Sequence, residues 1–381
     1  MDRAKAVFIH SPDLERYSYP PECPFKTERA AETRRILASM GLLSGQGRRE
    51  LPPAPATRQE LERFHTADYL DTLREAAAGH MGPEGLYMGL GTPDCPVFAG
   101  LWDYAVLACG ATLTGVRLIL DGDATVTFNP SGGYHHAGPG YAAGFCYVND
   151  SALACLALAD AGCRVAYLDV DAHHGDGVQA AVYDRADVLT ISMHESGRTL
   201  FPGTGFEHET GVGDGRGYAV NLPLPVGTYD AAFLKAFREV AAPLIGAYNP
   251  DVMVLELGMD ALAGDPLAHL DLTNNVYAEV IAAVLGFGKP VVAVGGGGYH
   301  VQNTARAWAL AWAALCGDET DESMSMGLGG VMLETTDWAG GLRDRALAPG
   351  RQQRAAVDAA VEATIRAVKA GVFGYHGLSG P

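Results

Sequence analysis

Residues 164–177 read RVAYLDVDAHHGDG, an apolar run that ends among aspartates, histidines and glycines. Because its apolar residues are consecutive rather than alternate, the run reads as a strand buried on both faces, as in a parallel sheet. The pattern recurs in AVFIH (6–10), ATVTF (124–128), DVLTISM (187–193), DVMVLEL (251–257) and PVVAV (290–294). Between these runs lie helical candidates near 99–120, 149–161, 230–247, 273–287 and 303–316. Such alternation predicts an α/β fold in three layers, a mostly parallel sheet flanked by helices. No fixed-period repeat or Pro/Ser linker interrupts it, so a single domain over 1–381 is expected. A final amphipathic helix is expected at about 352–371, where Ala356, Val357, Ala360, Val361, Ile365 and Val368 recur at helical spacing.

A chain of 381 residues that is 48% apolar can bury a large core, which excludes a disordered protein. Its 45 acidic and 27 basic residues leave a formal charge of −18, a field that repels phosphate backbones and anionic lipid. Direct nucleic-acid binding and membrane association are therefore not expected. The same field draws in cationic substrates such as lysine-rich segments or polyamines, although a negative balance also serves solubility alone. Cys23, Cys95, Cys109, Cys146, Cys155, Cys163 and Cys316 are odd in number and never spaced CxxC, which suits a reducing compartment. The N-terminal MDRAKAVFIHSPD meets Asp13 too early for a signal-peptide core, and the uncharged stretch between Asp103 and Arg117 holds only 13 residues, short of a membrane span. A soluble cytoplasmic protein is expected, and an oligomer is compatible with the sequence.

In open α/β sheets the chemistry gathers beyond the carboxyl ends of strands. Three such ends are unusual here. NPSGGYHHAGPGYAAGFCYVND (129–150) carries His135 and His136, DVDAHHGDG (169–177) sets Asp169, Asp171 and His173 at alternate positions, and GMDALAGDP (258–266) offers Asp260 and Asp265. Period-two spacing puts Asp171 and His173 on one side of the chain, where an oxygen and a ring nitrogen can converge on a cation. With Asp260 they form a three-ligand set with room for water, the arrangement of a catalytic zinc. The plainer alternative, a loop cap in which Asp171 and His173 merely pair, is disfavoured by the cost of burying so many carboxylates and imidazoles beside apolar strands.

The side chains of His135 and His136 diverge, so each needs its own partner. Asp169 and Asp176 are available to hold one imidazole each and fix its tautomer. A histidine so held can take a proton from water and return it to a leaving amine. A structural pair or extra metal ligands are the other readings. The run VGGGGYHVQN (294–303) lacks the GK[ST] ending of a phosphate-binding loop, and no GxGxxG follows the first strand. Its glycines permit close backbone approach, with Tyr299 offering a hydroxyl donor or, read alone, simply packing in the core.

Together, GGYHHAGPGYAAGFCYVND, LDVDAHHGDGVQ, LFPGTG (200–205), LGMDALAGDPL and GGGGYHVQNTARAW resemble the successive motifs of the zinc-dependent histone deacetylase family, in the family's order. The likeness runs from about FIHSPD to ARAWALAW, and TPDCPVFAGLWDY (92–104), GFCYVND and GGGGY are closest to class I enzymes and bacterial acetoin-utilization deacetylases. The resemblance implies the arginase/deacetylase fold, a motif-bearing core at about 5–316, and a C-terminal helical extension at about 317–381. It also implies a zinc-dependent amidohydrolase that removes acetyl or other acyl groups from the ε-amine of lysine in proteins or peptides. Zn2+ would be held by Asp171, His173 and Asp260, with Fe2+ fitting the same set. His135 and His136 become the tandem pair backed by Asp169 and Asp176, and Tyr299 the carbonyl polariser.

Carried over in the same way, Asp94 matches a rim carboxylate that holds substrate amides. Gly144, Phe145, Phe201 and Leu267 match an apolar tunnel, and Gly297 is grouped with the substrate contacts. Arg29 and Cys146 match the lining of an inner pocket, beside Tyr134, where family members carry varied bulky apolar residues. A structural K+ or Na+ site maps onto Asp169, Asp171, His173, Ser192 and Met193, and a second falls near Val188 and Tyr218. AGPGYAAGF lacks the basic residues with which nuclear class I enzymes dock corepressors through inositol phosphates, so that regulation is not expected. Three rivals remain: an acetylpolyamine amidohydrolase, a silent acyl-lysine reader, and a ureohydrolase on the same fold. The last needs a DxD where this chain has Gly258, Met259 and Asp260.

Overall fold

In the computed structural model, which describes residues 6–45, 47–318 and 341–380, every apolar run expected to form a strand does so. The strands are β1 (Ala6–Ile9), β2 (Arg48–Leu51), β3 (Val126–Asn129), β4 (Val165–Asp169), β5 (Val188–Glu195), β6 (Ala219–Leu224), β7 (Val252–Glu256) and β8 (Val291–Val294). They form one parallel sheet in the order β2-β1-β3-β8-β7-β4-β5-β6. Side chains divide between its faces by parity. Val165 and Tyr167 of β4, Val252 and Val254 of β7 and Val292 of β8 enter one core, with helices Leu101–Leu120 and Asp150–Asp160 over them. Ala166 and Leu168, Met253 and Leu255, and Val291 and Ala293 enter the other, under helices Asn274–Gly286 and Val301–Leu315. Burial on both faces is why these strands show no polar alternation.

Two strands carry no such signal, and both are edges. β2 is RREL, half-buried throughout, and β6 contains Asn221 and Pro223, a proline that an edge tolerates. Helix Arg351–Val372 covers β6, burying Val357, Val361, Ile365 and Val368, and Thr364 Oγ1 donates to the Pro223 carbonyl at 3.1 Å. Ala356, expected on the buried stripe, is exposed. Residue 5 of the expected core, and 319–340 and 381 of the expected extension, lie outside the described residues. Helix Leu101–Leu120 is longer than its uncharged stretch because Asp103 and Arg117 both lie within it. It is long and apolar enough to cross a bilayer, yet 78% of its apolar window is buried inside the protein, as in a core helix.

The four adjacent strands β3, β8, β7 and β4 end in one row, Asn129, Val294, Glu256 and Asp169 being register partners in turn. Loops remote in sequence therefore leave the sheet side by side.

Covering an edge strand suppresses pairing between molecules. A carboxylate at Val361, which is 1% exposed, would cost on the order of several kcal/mol to bury. Val361→Asp should lift the last helix, raising hydrogen exchange across 351–372 and promoting self-association on size-exclusion chromatography. Unchanged exchange would show that this helix does not depend on its buried stripe.

Candidate metal centre and active site

Asp171 and His173 follow β4 by two and four residues, and Asp260 follows β7 by four. His173 Nδ1 lies 3.1 Å from Asp171 Oδ1 and 2.9 Å from Asp260 Oδ2, and all three side chains are buried. Backbone donors hold the carboxylates in place. The N–H of His173 donates to Asp171 Oδ1 at 2.8 Å, that of Gly297 to Asp171 Oδ2 at 2.7 Å, and that of Ala172 to Asp260 Oδ1 at 2.8 Å. Glycine is required beside them, since a Cβ on Gly258 would run into the Asp171 carboxylate and one on Gly297 into that of Asp260.

The charge balance of this cluster is strained. Burial and the neighbouring Asp171 push the Asp260 carboxyl up to about 7. Burial works against charging His173, but Asp260 and Asp171 outweigh it and raise the imidazole to about 10. A proton on His173 thus stands where two buried carboxylates call for positive charge. Two anionic oxygens and one imidazole are donors that suit Zn2+ or Fe2+, and three of them fall short of a closed tetrahedral shell.

The tandem histidines present their Nε2 atoms to each other at 3.0 Å. His135 Nδ1 lies 2.8 Å from Asp169 Oδ2, and His136 Nδ1 lies 2.7 Å from Asp176 Oδ1. With both Nδ1–H groups committed to carboxylates, a single proton lies between the two Nε2 atoms. Burial and the charge of His135 depress His136 to about 4. Burial opposes the charging of His135, but Glu256 and Asp169 raise it well above the usual range. Both shifts favour the proton on His135, with His136 as the acceptor.

Glu256 is the participant that sequence reasoning missed. Its Oε1 lies 3.1 Å from His135 Nδ1, while Oε2 accepts from Ser151 Oγ and lies 2.7 Å from the Tyr167 hydroxyl, which is equally close to Asp169 Oδ2. His135, Asp169 and Glu256 form a second close trio of donors. Its imidazole is already engaged by the carboxylates, and the acid in DVMVLEL was the available signal.

Beyond the cluster opens a cavity of about 620 Å³ with His173 at its foot and Asp94, Gly144, Phe145, Leu200, Phe201 and Leu267 among its walls. Pro20, Glu22, Cys23 and Pro24 also line it, from a segment with no periodic signal. The Phe201 ring stands edge-on to His136 at 4.9 Å, and that of Phe145 lies 5.6 Å from Tyr299. Asp265 ties two parts of the wall together, accepting from Tyr299 N at 2.7 Å and Leu267 N at 2.9 Å. Burial raises the Tyr299 phenol well above its ordinary value, so it stays a neutral donor. Gly297, grouped with the substrate contacts by resemblance, donates its backbone N–H to Asp171.

Of the remaining sequence candidates, Arg29 donates from Nη1 to the Gly298 carbonyl at 2.7 Å and lies over the Phe25 ring. Tyr134 meets the Tyr104 hydroxyl at 2.6 Å, and Cys146 Sγ lies 3.2 Å from the Gly144 carbonyl. Ser192 is the register partner of Asp169, with its Oγ 2.8 Å from His194 Nδ1, and Met193 is buried beside it. Val188 opens β5 and the Tyr218 carbonyl accepts from Thr190 N at 2.9 Å, at the opposite ends of these strands from the cluster.

Residues 23–315 match the histone deacetylase domain. The chain is 42% identical over 320 residues to the acetoin utilization protein AcuC of Bacillus subtilis, covering 82% of each chain. It is 38% identical over 316 residues to histone deacetylase 8 of Danio rerio, again covering 82% of each. An HDAC homolog from Aquifex aeolicus superimposes with a TM-score of 0.83 at 33% identity, over 96% of this chain and all of that one.

Gly258→Ala should displace the Asp171 carboxylate and abolish tight binding of a divalent ion, as should Asp171→Ala. Elemental analysis of the desalted protein is expected to give one ion per wild-type chain and far less than one per variant. Two tightly held divalent ions per wild-type chain would instead favour a two-metal centre that includes the second trio.

Proposed function

The chain belongs to the histone deacetylase family, and on that premise we propose that it hydrolyses the amide of an acetylated or otherwise acylated lysine ε-amine in a protein or peptide. What supports this reading is the Asp171, His173 and Asp260 cluster, with the rings of His136 and Tyr299 5.9 and 6.4 Å from that of His173, beside a cavity lined by His173, Phe145 and Phe201. Asp171, His173 and Asp260 would hold Zn2+, or Fe2+. When bound, the ion supplies Lewis-acid polarisation of the acyl carbonyl and lowers the pKa of water.

The protein's own groups do the rest. Phe145 and Phe201 flank a linear methylene stem and keep bulk water out. His136, neutral near pH 7 and oriented by Asp176, takes the attacking water's proton at Nε2 and returns it to the departing amine nitrogen. His135, backed by Asp169 and Glu256, keeps its proton and places positive charge beside the developing oxyanion. The Tyr299 hydroxyl donates to the carbonyl oxygen as that carbon becomes tetrahedral. Arg29, Tyr134 and Cys146 would border the space on the acyl side. A structural K+ or Na+ at Asp169, Asp171, His173, Ser192 and Met193, and a cytoplasmic location, belong to the same proposal.

Asp94 favours a peptide over a polyamine. Standing at the mouth, it can accept hydrogen bonds from the amides that flank a lysine, and a polyamine has none. Acyl-lysine peptides and acetylpolyamines should be compared directly by amine release. Acetyl-lysine peptides are expected to give the higher kcat/KM, and Asp94→Ala should raise their KM without loss of metal. A kcat/KM for acetylputrescine or acetylspermidine well above that of every peptide tested would overturn the assignment.

Because Tyr299 acts mainly in the transition state, Tyr299→Phe should lower kcat with little change in substrate affinity, by roughly 2–4 kcal/mol of activation free energy as for other oxyanion donors. An unchanged kcat would leave Tyr299 a packing residue.

A further inference from the structure

Glu195 closes β5, and its side chain is completely buried. Oε1 lies 2.9 Å from Thr199 Oγ1, whose one proton is shared with the Ser196 carbonyl at 3.0 Å, and 3.2 Å from His269 Nδ1, while Oε2 accepts from the His269 backbone N–H at 2.8 Å. A buried carboxylate is tolerated when its oxygens are met by donors, and here both are. Its backbone N–H donates at 2.8 Å to the carbonyl of Ala172, the residue between Asp171 and His173.

The two gripped residues lie next to two separate segments that line the cavity. Thr199 lies two positions before Phe201, and His269 two positions after Leu267. Among the described residues, no other hydrogen bond joins 196–205 to 263–270. One carboxylate, fastened through its own backbone to the ligand-bearing segment, therefore connects both walls to that segment.

We propose that Glu195 is a positioning residue that sets the spacing of Phe201 and Leu267, and with it the grip on the substrate's methylene stem. This rests on the reading of the cavity as an acyl-lysine tunnel. The spacing itself is a property of the free protein and can be measured without substrate.

The test uses the full chain with Glu195→Ala, Glu195→Gln and Thr199→Val, each checked for metal content and thermal melting. In Glu195→Ala, hydrogen exchange should rise about tenfold at both 199–205 and 266–270 while 294–300 keeps its wild-type rate. KM for an acetyl-lysine peptide should rise about tenfold with kcat within about twofold of wild type, a loss of ground-state grip. Glu195→Gln keeps one acceptor oxygen and should fall between. Thr199→Val removes one hydroxyl donor and should loosen 199–205 alone, which preserves the test if both Glu195 variants fail to fold. Exchange that is unchanged, or that rises across the whole chain, would overturn the proposal, as would loosened walls with an unchanged KM. If the wild-type protein releases no amine from acyl-lysine, the tunnel reading falls by itself, and the exchange data still decide whether Glu195 couples the walls.

Discussion

A buried excess of negative charge at the ends of β4 and β7 constrains everything around it. Asp171 and Asp260 face a single imidazole in the buried interior, and neither can turn away because backbone N–H groups from 172, 173 and 297 hold their oxygens. Such an arrangement is costly without a cation, since like charges repel and both have lost solvation. The glycines at 258 and 297 are part of this constraint, being the residues whose missing side chains let three loops approach the carboxylates. The parallel register supplies the rest by ending four strands in one row.

The second layer of charge gives the tandem histidines different roles. His136 has one carboxylate partner at the partly buried Asp176, whereas His135 faces both Asp169 and Glu256. The extra carboxylate stabilises the proton on His135, and that proton in turn keeps His136 neutral. An arrangement that looks symmetric in sequence thus sets the two imidazoles apart in charge, a difference that the proposed amide hydrolysis would use.

Much of this was legible in the residues. The central strands announced themselves because burial on both faces leaves uninterrupted apolar runs, and the ligands and the tandem pair stood out because acids and imidazoles at such strand ends have few structural uses. The edges β2 and β6 were missed because an edge need not be apolar on both sides. Glu256 sat in plain view within DVMVLEL, but one acid in a strand does not reveal which loop it faces. The wall at Pro20, Glu22, Cys23 and Pro24 and the brace at Glu195 are products of tertiary approach, and neither has a spacing that a single sequence can display. Gly297 could be linked to the site but not given its task, since its N–H acts on Asp171 from a loop more than a hundred residues away.

Because Asp260 and Asp171 raise the His173 imidazole, a proton there stands in for a divalent cation between two buried carboxylates in the metal-free protein. Calorimetric titration of the chelator-treated protein with Zn2+ at about pH 8, repeated in buffers of different ionisation enthalpy, counts the protons released on binding. With His173 raised to about 10, the metal-free site is protonated under these conditions, so at least one proton should leave for each ion bound. Tight binding of one Zn2+ with no proton released would contradict the account.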